Sequence, residues 1–214
     1  MEEENKVSEI SIEKDEKLPK TYVVSIDNKL FLNVTVSESD VLDSRIREWV
    51  LGVQAIYGKK NRRNLIVGET PYDMLQLCVG THCLVMELYS YCPLPRVFKD
   101  FLYDNKTVVV GVGIEKIATK LEKDRKDDRL IISRRVELRE EAEKLFPGNK
   151  LEKCSLEELA KVVLRGEVNF VKPKKMTWSE VSAMGRDTHL TKELIKCASV
   201  EAFLACRMGS NLLK

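Results

Sequence analysis

Glu201 stands four residues after Cys197 in an apolar, helix-periodic run that Thr191 caps and that extends to about residue 208. A spacing of four places the two side chains on one helical face. The Cys197 thiol acts as a nucleophile only if a basic neighbour lowers its pKa, and the sequence places none nearby. The plain alternatives stay open: Glu201 as a partly exposed acid without a role, and Cys197 as a small core filler. Glu69 and Asp73 flank Pro71 at the end of a short apolar run and form a second group of carboxylates. Pro71 equally suits a turn at a strand end.

Cys78, His82 and Cys83 raise the question of zinc. The paired C-x-x-C spacing and a fourth ligand are missing. The favoured reading is a hairpin turning at Gly80-Thr81 with the two cysteines on facing strands. Basic residues gather at Lys172-Pro-Lys-Lys175, followed by Trp178, at Lys59-Lys-Asn-Arg-Arg63, and at Arg134-Arg135. Lysines can neutralise phosphates and Trp178 can stack on a base. Solvated loops are the competing reading, favoured for 59–63.

These residues sit in a chain of 214 residues with 43% hydrophobic and 33% charged residues and a net charge of +2. Such a chain builds a real core without disulfides. Its near-neutral charge excludes a global basic field, so any nucleic-acid contact depends on a local patch. The six cysteines are expected to be reduced and mostly buried. No run approaches the ~20 apolar residues that span a bilayer, and no secretory signal opens the sequence. An intracellular protein without membrane contact is expected, nuclear or cytoplasmic or both, Lys172 to Lys175 being a weak nuclear import signal.

Residues 1–19 are charged, lack aromatics and are expected to form a flexible acidic tail, with a single domain over 20–214. The pattern predicts strands at 22–26 and 30–36 joined by a turn at Asp27-Asn28, then a helix over 40–57 with Ser39 or Asp40 as cap. Further strands are predicted at 64–68, 74–79, 83–88, 107–113 and 130–138. Helices are predicted at 95–103, 115–124 and 139–146. Ser155 and Glu158 form a capping box for a helix to about residue 164, stopped at Gly166, and the last helix follows Thr191. Early strands with later helical crossovers argue for an α/β mixed sheet.

Asn64-Leu-Ile-Val-Gly68, Leu75-Gln-Leu-Cys-Val-Gly80, Phe98-Lys-Asp-Phe-Leu102, Val109-Val-Gly-Val-Gly-Ile114, Val136-Glu-Leu-Arg139, Ser155-Leu-Glu-Glu-Leu-Ala160, Lys172-Pro-Lys-Lys175 and the last helix follow one another in order. Together these segments resemble the Werner syndrome exonuclease-like 3′–5′ exonuclease family of the ribonuclease H-like superfamily, including its stand-alone plant members. The resemblance spans roughly residues 20 to 210 and implies a ribonuclease H-like mixed β-sheet flanked by helices, the 3′–5′ exonuclease fold. In that family four carboxylates hold two divalent ions that activate water and stabilise the leaving oxygen of a phosphodiester.

Carried over position by position, the resemblance places Thr70 and Tyr72 where the first-strand Asp and Glu belong, Ile117 at the second-segment Asp, Cys197 at the Tyr and Glu201 at the last Asp. The family's long loop before the next strand is deleted, since Asp73-Met74 leads directly into Leu75. One family position of the four keeps a carboxylate, and Glu69 and Asp73 lie close enough to substitute at the first strand. The departures point to a catalytically degenerate exonuclease-like protein that binds DNA or RNA, through Lys172, Lys174, Lys175 and Trp178, or serves as an oligomeric scaffold. The alternatives are an active Mg²⁺- or Mn²⁺-dependent exonuclease using Glu69, Asp73 and Glu201, with Glu201 the candidate metal ligand, and an interaction subunit with no nucleic-acid role. The resemblance also implies a homo-oligomer, a ring in some relatives.

Overall fold

The computed structural model describes residues 9–38, 42–57, 63–66, 74–88, 93–124, 128–165 and 190–213. The chain opens with an antiparallel meander, β1 (Ile10–Lys14), β2 (Thr21–Ile26) and β3 (Leu30–Ser37). Asp27 and Asn28, both at φ +53°, turn β2 into β3. Short polar side chains tolerate this left-handed conformation, which matches the twist of a hairpin. Helix α1 (Leu42–Tyr57) precedes β4 (Arg63–Ile66), and β5 (Met74–Val79) and β6 (His82–Glu87) form the next hairpin. Then come α2 (Arg96–Tyr103), β7 (Val108–Gly111), α3 (Ile114–Asp124), β8 (Arg135–Glu137), α4 (Leu138–Leu145), a 3-10 turn (Leu151–Lys153), α5 (Leu156–Leu164) and α6 (Lys192–Leu212).

Five strands pair in the order β1-β2-β3-β6-β5, with β3 and β6 parallel and the other neighbours antiparallel. Three more, β4-β7-β8, pair in parallel, and β4 packs beside β5. This mixed sheet, flanked by helices on both faces, is the α/β class expected of a ribonuclease H-like chain. Strand β5 is buried on both sides, which explains its nearly unbroken apolar run. Leu75, Leu77 and Val79 face the core under α1, α2 and α3, with Ile46, Trp49, Val50, Val53, Phe98 and Phe101 packed against them. Met74 and Cys78 face the opposite core, closed by α4, α5 and α6.

The N-terminal expectation needs correction. Residues 10–14 are not tail but the edge strand β1, whose Ile10 and Ile12 pack against the core. Glu9 and Asp27 pin its start: the Glu9 amide donates to Asp27 Oδ1 at 2.8 Å and the Asp27 amide donates back to the Glu9 carbonyl at 2.9 Å. The strand predicted over 130–138 is also corrected. Leu130 and Ile132 are buried and Ile131 is exposed, an alternation that mimics a strand. Their segment instead straps the end of α2: the Ser133 amide and hydroxyl donate to the carbonyls of Leu102 and Tyr103. Only 135–137 joins the ladder, and Leu138 already begins α4.

Glu137 ties two helix starts to the end of β8. Its Oε2 accepts from the amides of Gly113 at 2.7 Å and Ile114 at 3.2 Å, and its Oε1 from Arg139 at 3.3 Å. One carboxylate thus satisfies amides at the N-termini of α3 and α4, where helix dipoles favour negative charge. Glu137→Ala is expected to lower stability in urea unfolding by about 2–3 kcal/mol, with Glu137→Gln recovering part of the loss.

Candidate active site

Helix α6 carries the residues with the most chemical promise, and it is buried along most of its length. The Thr191 hydroxyl caps it by accepting from the Leu194 amide at 3.2 Å, as its sequence predicts. Ala198, Ser199, Ala202 and Ala205 are small, so the helix lies close against the sheet. It packs on β4, β5, β6 and β7 and on α4 and α5.

Glu201 lies on this helix only 8% exposed, which removes the reading of a partly exposed surface acid. Its Oε2 accepts from Gln76 Nε2 at 3.0 Å. Gln76 is fully buried, the polar residue in the middle of β5 between Met74 and Cys78 on the strand face that looks at α6. Its Oε1 has no hydrogen-bond partner among the described residues. A buried polar side chain demands partners, and Glu201 supplies one. The lone Gln in Met74-Leu-Gln-Leu-Cys-Val79 was the available sequence signal for this pair, and sequence reasoning missed it.

Cys197, one turn before Glu201, is 6% exposed. Ile117 is 7% exposed and sits on the apolar stripe Ile114, Ile117, Ala118 and Leu121 of α3. That stripe packs in the core on the α1–α3 face of the sheet, whereas α6 closes the other face. Ile117 and Glu201 therefore belong to helices on opposite faces of the sheet. Glu69, Thr70, Tyr72 and Asp73 lie outside the described residues, as do Lys172, Lys174, Lys175 and Trp178.

A pair of Mg²⁺ or Mn²⁺ ions does not fit the described part of this set. Hard cations need several converging oxygens. At the three family positions that are described stand an alkyl group, a thiol and one carboxylate held by Gln76. No group of three His, Cys, Asp or Glu side chains that would suit a metal ion occurs among the described residues.

The hairpin expected to turn at Gly80-Thr81 is present. Cys78 and Cys83 are cross-strand partners, while His82 points to the other face, with Nδ1 3.3 Å from the Tyr57 hydroxyl. Burial holds the His82 imidazole below its ordinary pKa. Gly80 takes φ +60° in the turn, a conformation that favours glycine, and a Cβ there would push on the end of the Tyr57 side chain, which would have to move. Of the Arg134-Arg135 pair, Arg134 is exposed, whereas Arg135 pairs with Glu115 and Glu122, each at 3.5 Å. Among the described residues no helix is long and apolar enough to cross a membrane.

The chain is similar to the EXD2 exonuclease domain. The crystal structure of that domain soaked in Mn and Mg matches with 21% identity and a TM-score of 0.44, covering 84% of this chain and 89% of that one. The same domain soaked in Mn and GMP matches with 22% identity and a TM-score of 0.43, over 83% of this chain and 89% of that one. No family model matches the sequence, and no curated protein does.

Proposed function

We propose that this chain is a 3′–5′ exonuclease-like domain that has lost two-metal catalysis and works by binding nucleic acid. The observation that carries the loss of catalysis is the placement of Ile117 and Glu201. The first is an apolar core residue of α3 where the resemblance asks for a carboxylate, and the second a buried acid engaged by Gln76. The ordered run of family-like segments and the mixed sheet flanked by helices support the exonuclease-like assignment. The binding role rests on Lys172, Lys174, Lys175 and Trp178, a basic segment with an adjacent aromatic.

Fluorescence anisotropy with single-stranded and 3′-recessed DNA, and with RNA of the same sequence, tests this reading. Affinity is expected to fall steeply with salt, and replacing the three lysines by alanine should weaken binding about tenfold and flatten the salt slope by roughly 2. Nucleotide release from a 3′ end that requires Mn²⁺ and disappears in Glu201→Ala would establish the active-enzyme alternative using Glu69, Asp73 and Glu201. A stable oligomer with no salt-sensitive affinity would establish an interaction subunit instead.

A further inference from the structure

Three thiols meet between the β5–β6 hairpin and α6. Cys78 and Cys83 face each other in the ladder, and the Cys83 thiol donates to the Cys78 sulfur at 2.9 Å. The two-residue turn Gly80-Thr81 sets this geometry. Val79 and His82 close the hairpin as its hydrogen-bonded pair, so Cys78 and Cys83 form the next, non-hydrogen-bonded pair. Facing Cα atoms in such a pair are ~4.5 Å apart, within the span of a disulfide. Cys206 of α6 hydrogen-bonds to Cys78 from the other side.

Cys78 and Cys206 are shifted in opposite directions. The Cys206 thiol is held below its ordinary pKa by the hydrogen bond from Cys78, by the Gly80 amide and by the Arg207 charge, against the opposing effect of burial. Burial pushes the Cys78 thiol well above its ordinary value, and the hydrogen bonds with Cys206 and Cys83 push it further. The thiolate is the reactive form, so Cys206 is the group that meets an oxidant first. Cys78, Cys83 and Cys206 are at most 3% exposed, which favours a small oxidant admitted by local opening of the hairpin.

We propose that Cys78, Cys83 and Cys206 form an oxidative modification site that a hydroperoxide converts to a Cys78–Cys83 disulfide by way of Cys206. The Cys206 thiolate attacks a peroxide oxygen and the O–O bond breaks, giving a sulfenic acid and a hydroxide that leaves as water. The Cys78 sulfur then attacks the Cys206 sulfur. The S–O bond breaks, and the hydroxyl departs as water with the Cys78 proton. Cys83 next attacks Cys78, and its proton passes to the departing Cys206 sulfur. Two thiols have lost two electrons, one hydrogen peroxide has become two waters, and Cys206 is a thiol again. The product removes the Cys83 S–H that contacts the Ser199 carbonyl at 3.7 Å, two residues before Glu201, so helix α6 loses a contact with the sheet.

The test treats the native full chain with equimolar hydrogen peroxide, alkylates free thiols under denaturing conditions and maps the products by tandem mass spectrometry. The expected product has lost two hydrogens within the span from Cys78 to Cys83. Cys206→Ser should slow its formation on the order of tenfold without changing it. Cys206→Ala serves if the serine variant does not fold. Cys83→Ser should stop at a Cys78–Cys206 disulfide, and Cys78→Ser should leave a dimedone-reactive sulfenic acid at Cys206. Oxidation of the half-buried Cys154 while Cys78 and Cys83 remain alkylatable would overturn the proposal, as would a disulfide that forms only in denaturant. An unchanged rate in both Cys206 variants would overturn the route through that residue.

Discussion

Ile117→Asp is expected to cost on the order of 4 kcal/mol in denaturant unfolding and to confer no affinity for Mn²⁺. The variant restores the residue type that the family resemblance assigns to this place. In this chain the position lies on the core stripe of α3 among Ile114, Ala118 and Leu121, at 7% exposure. The substitution removes a buried alkyl group and puts in its place a carboxylate with neither water nor a cation partner. An aspartate facing an ion site would lose little stability and would bind metal. Urea melts with and without Mn²⁺ separate the two: a midpoint raised by the metal would mean that Ile117 borders a cation site after all.

Glu201→Ala is expected to lower stability by about 2–4 kcal/mol, because it strands the Nε2 of fully buried Gln76. Removing both polar groups should cost less than the two single changes together. In the cycle of Gln76→Leu, Glu201→Leu and the double variant, a coupling of roughly 1–3 kcal/mol is expected. A purely catalytic acid behaves otherwise. It loses function with stability unchanged or improved, since functional carboxylates are held in place against their own repulsion. Additive effects in the cycle would mean that the Gln76–Glu201 hydrogen bond does not hold α6 to β5.

The parts of the fold that were legible in the sequence are those with local causes. The α1 stripe Ile46, Trp49, Val50 and Val53 has the helical period. The capping box at Ser155 and Glu158 closes as written, with the Ser155 amide donating to Glu158 Oε2 at 2.7 Å. The hairpin that sets Cys78 against Cys83 follows from Gly80-Thr81 between two β-rich runs.

What escaped depends on partners far along the chain. Strand β1 carries only the alternation Ile10-Ser11-Ile12 amid charges, and it becomes a strand because β2 offers an open edge. Leu130 and Ile132 alternate like a strand, yet the segment is tied to the end of α2 by Ser133, which donates to the carbonyls of Leu102 and Tyr103. Glu137 reads as one more charge until the amides of Gly113 and Ile114 are brought to it. At the candidate site, sequence pointed to Glu201 and to the apolar substitution at Ile117. It did not show that Gln76, 125 positions away in the chain, takes the acid's oxygen.

Isothermal titration of the full chain with Mn²⁺ tests the central claim most directly. The account predicts weak binding at most, with no paired tight sites and no change in heat on going from the parent chain to a folded Glu201→Gln variant. Two tight sites per chain, lost together in Glu201→Gln, would contradict it and restore the metal-dependent exonuclease.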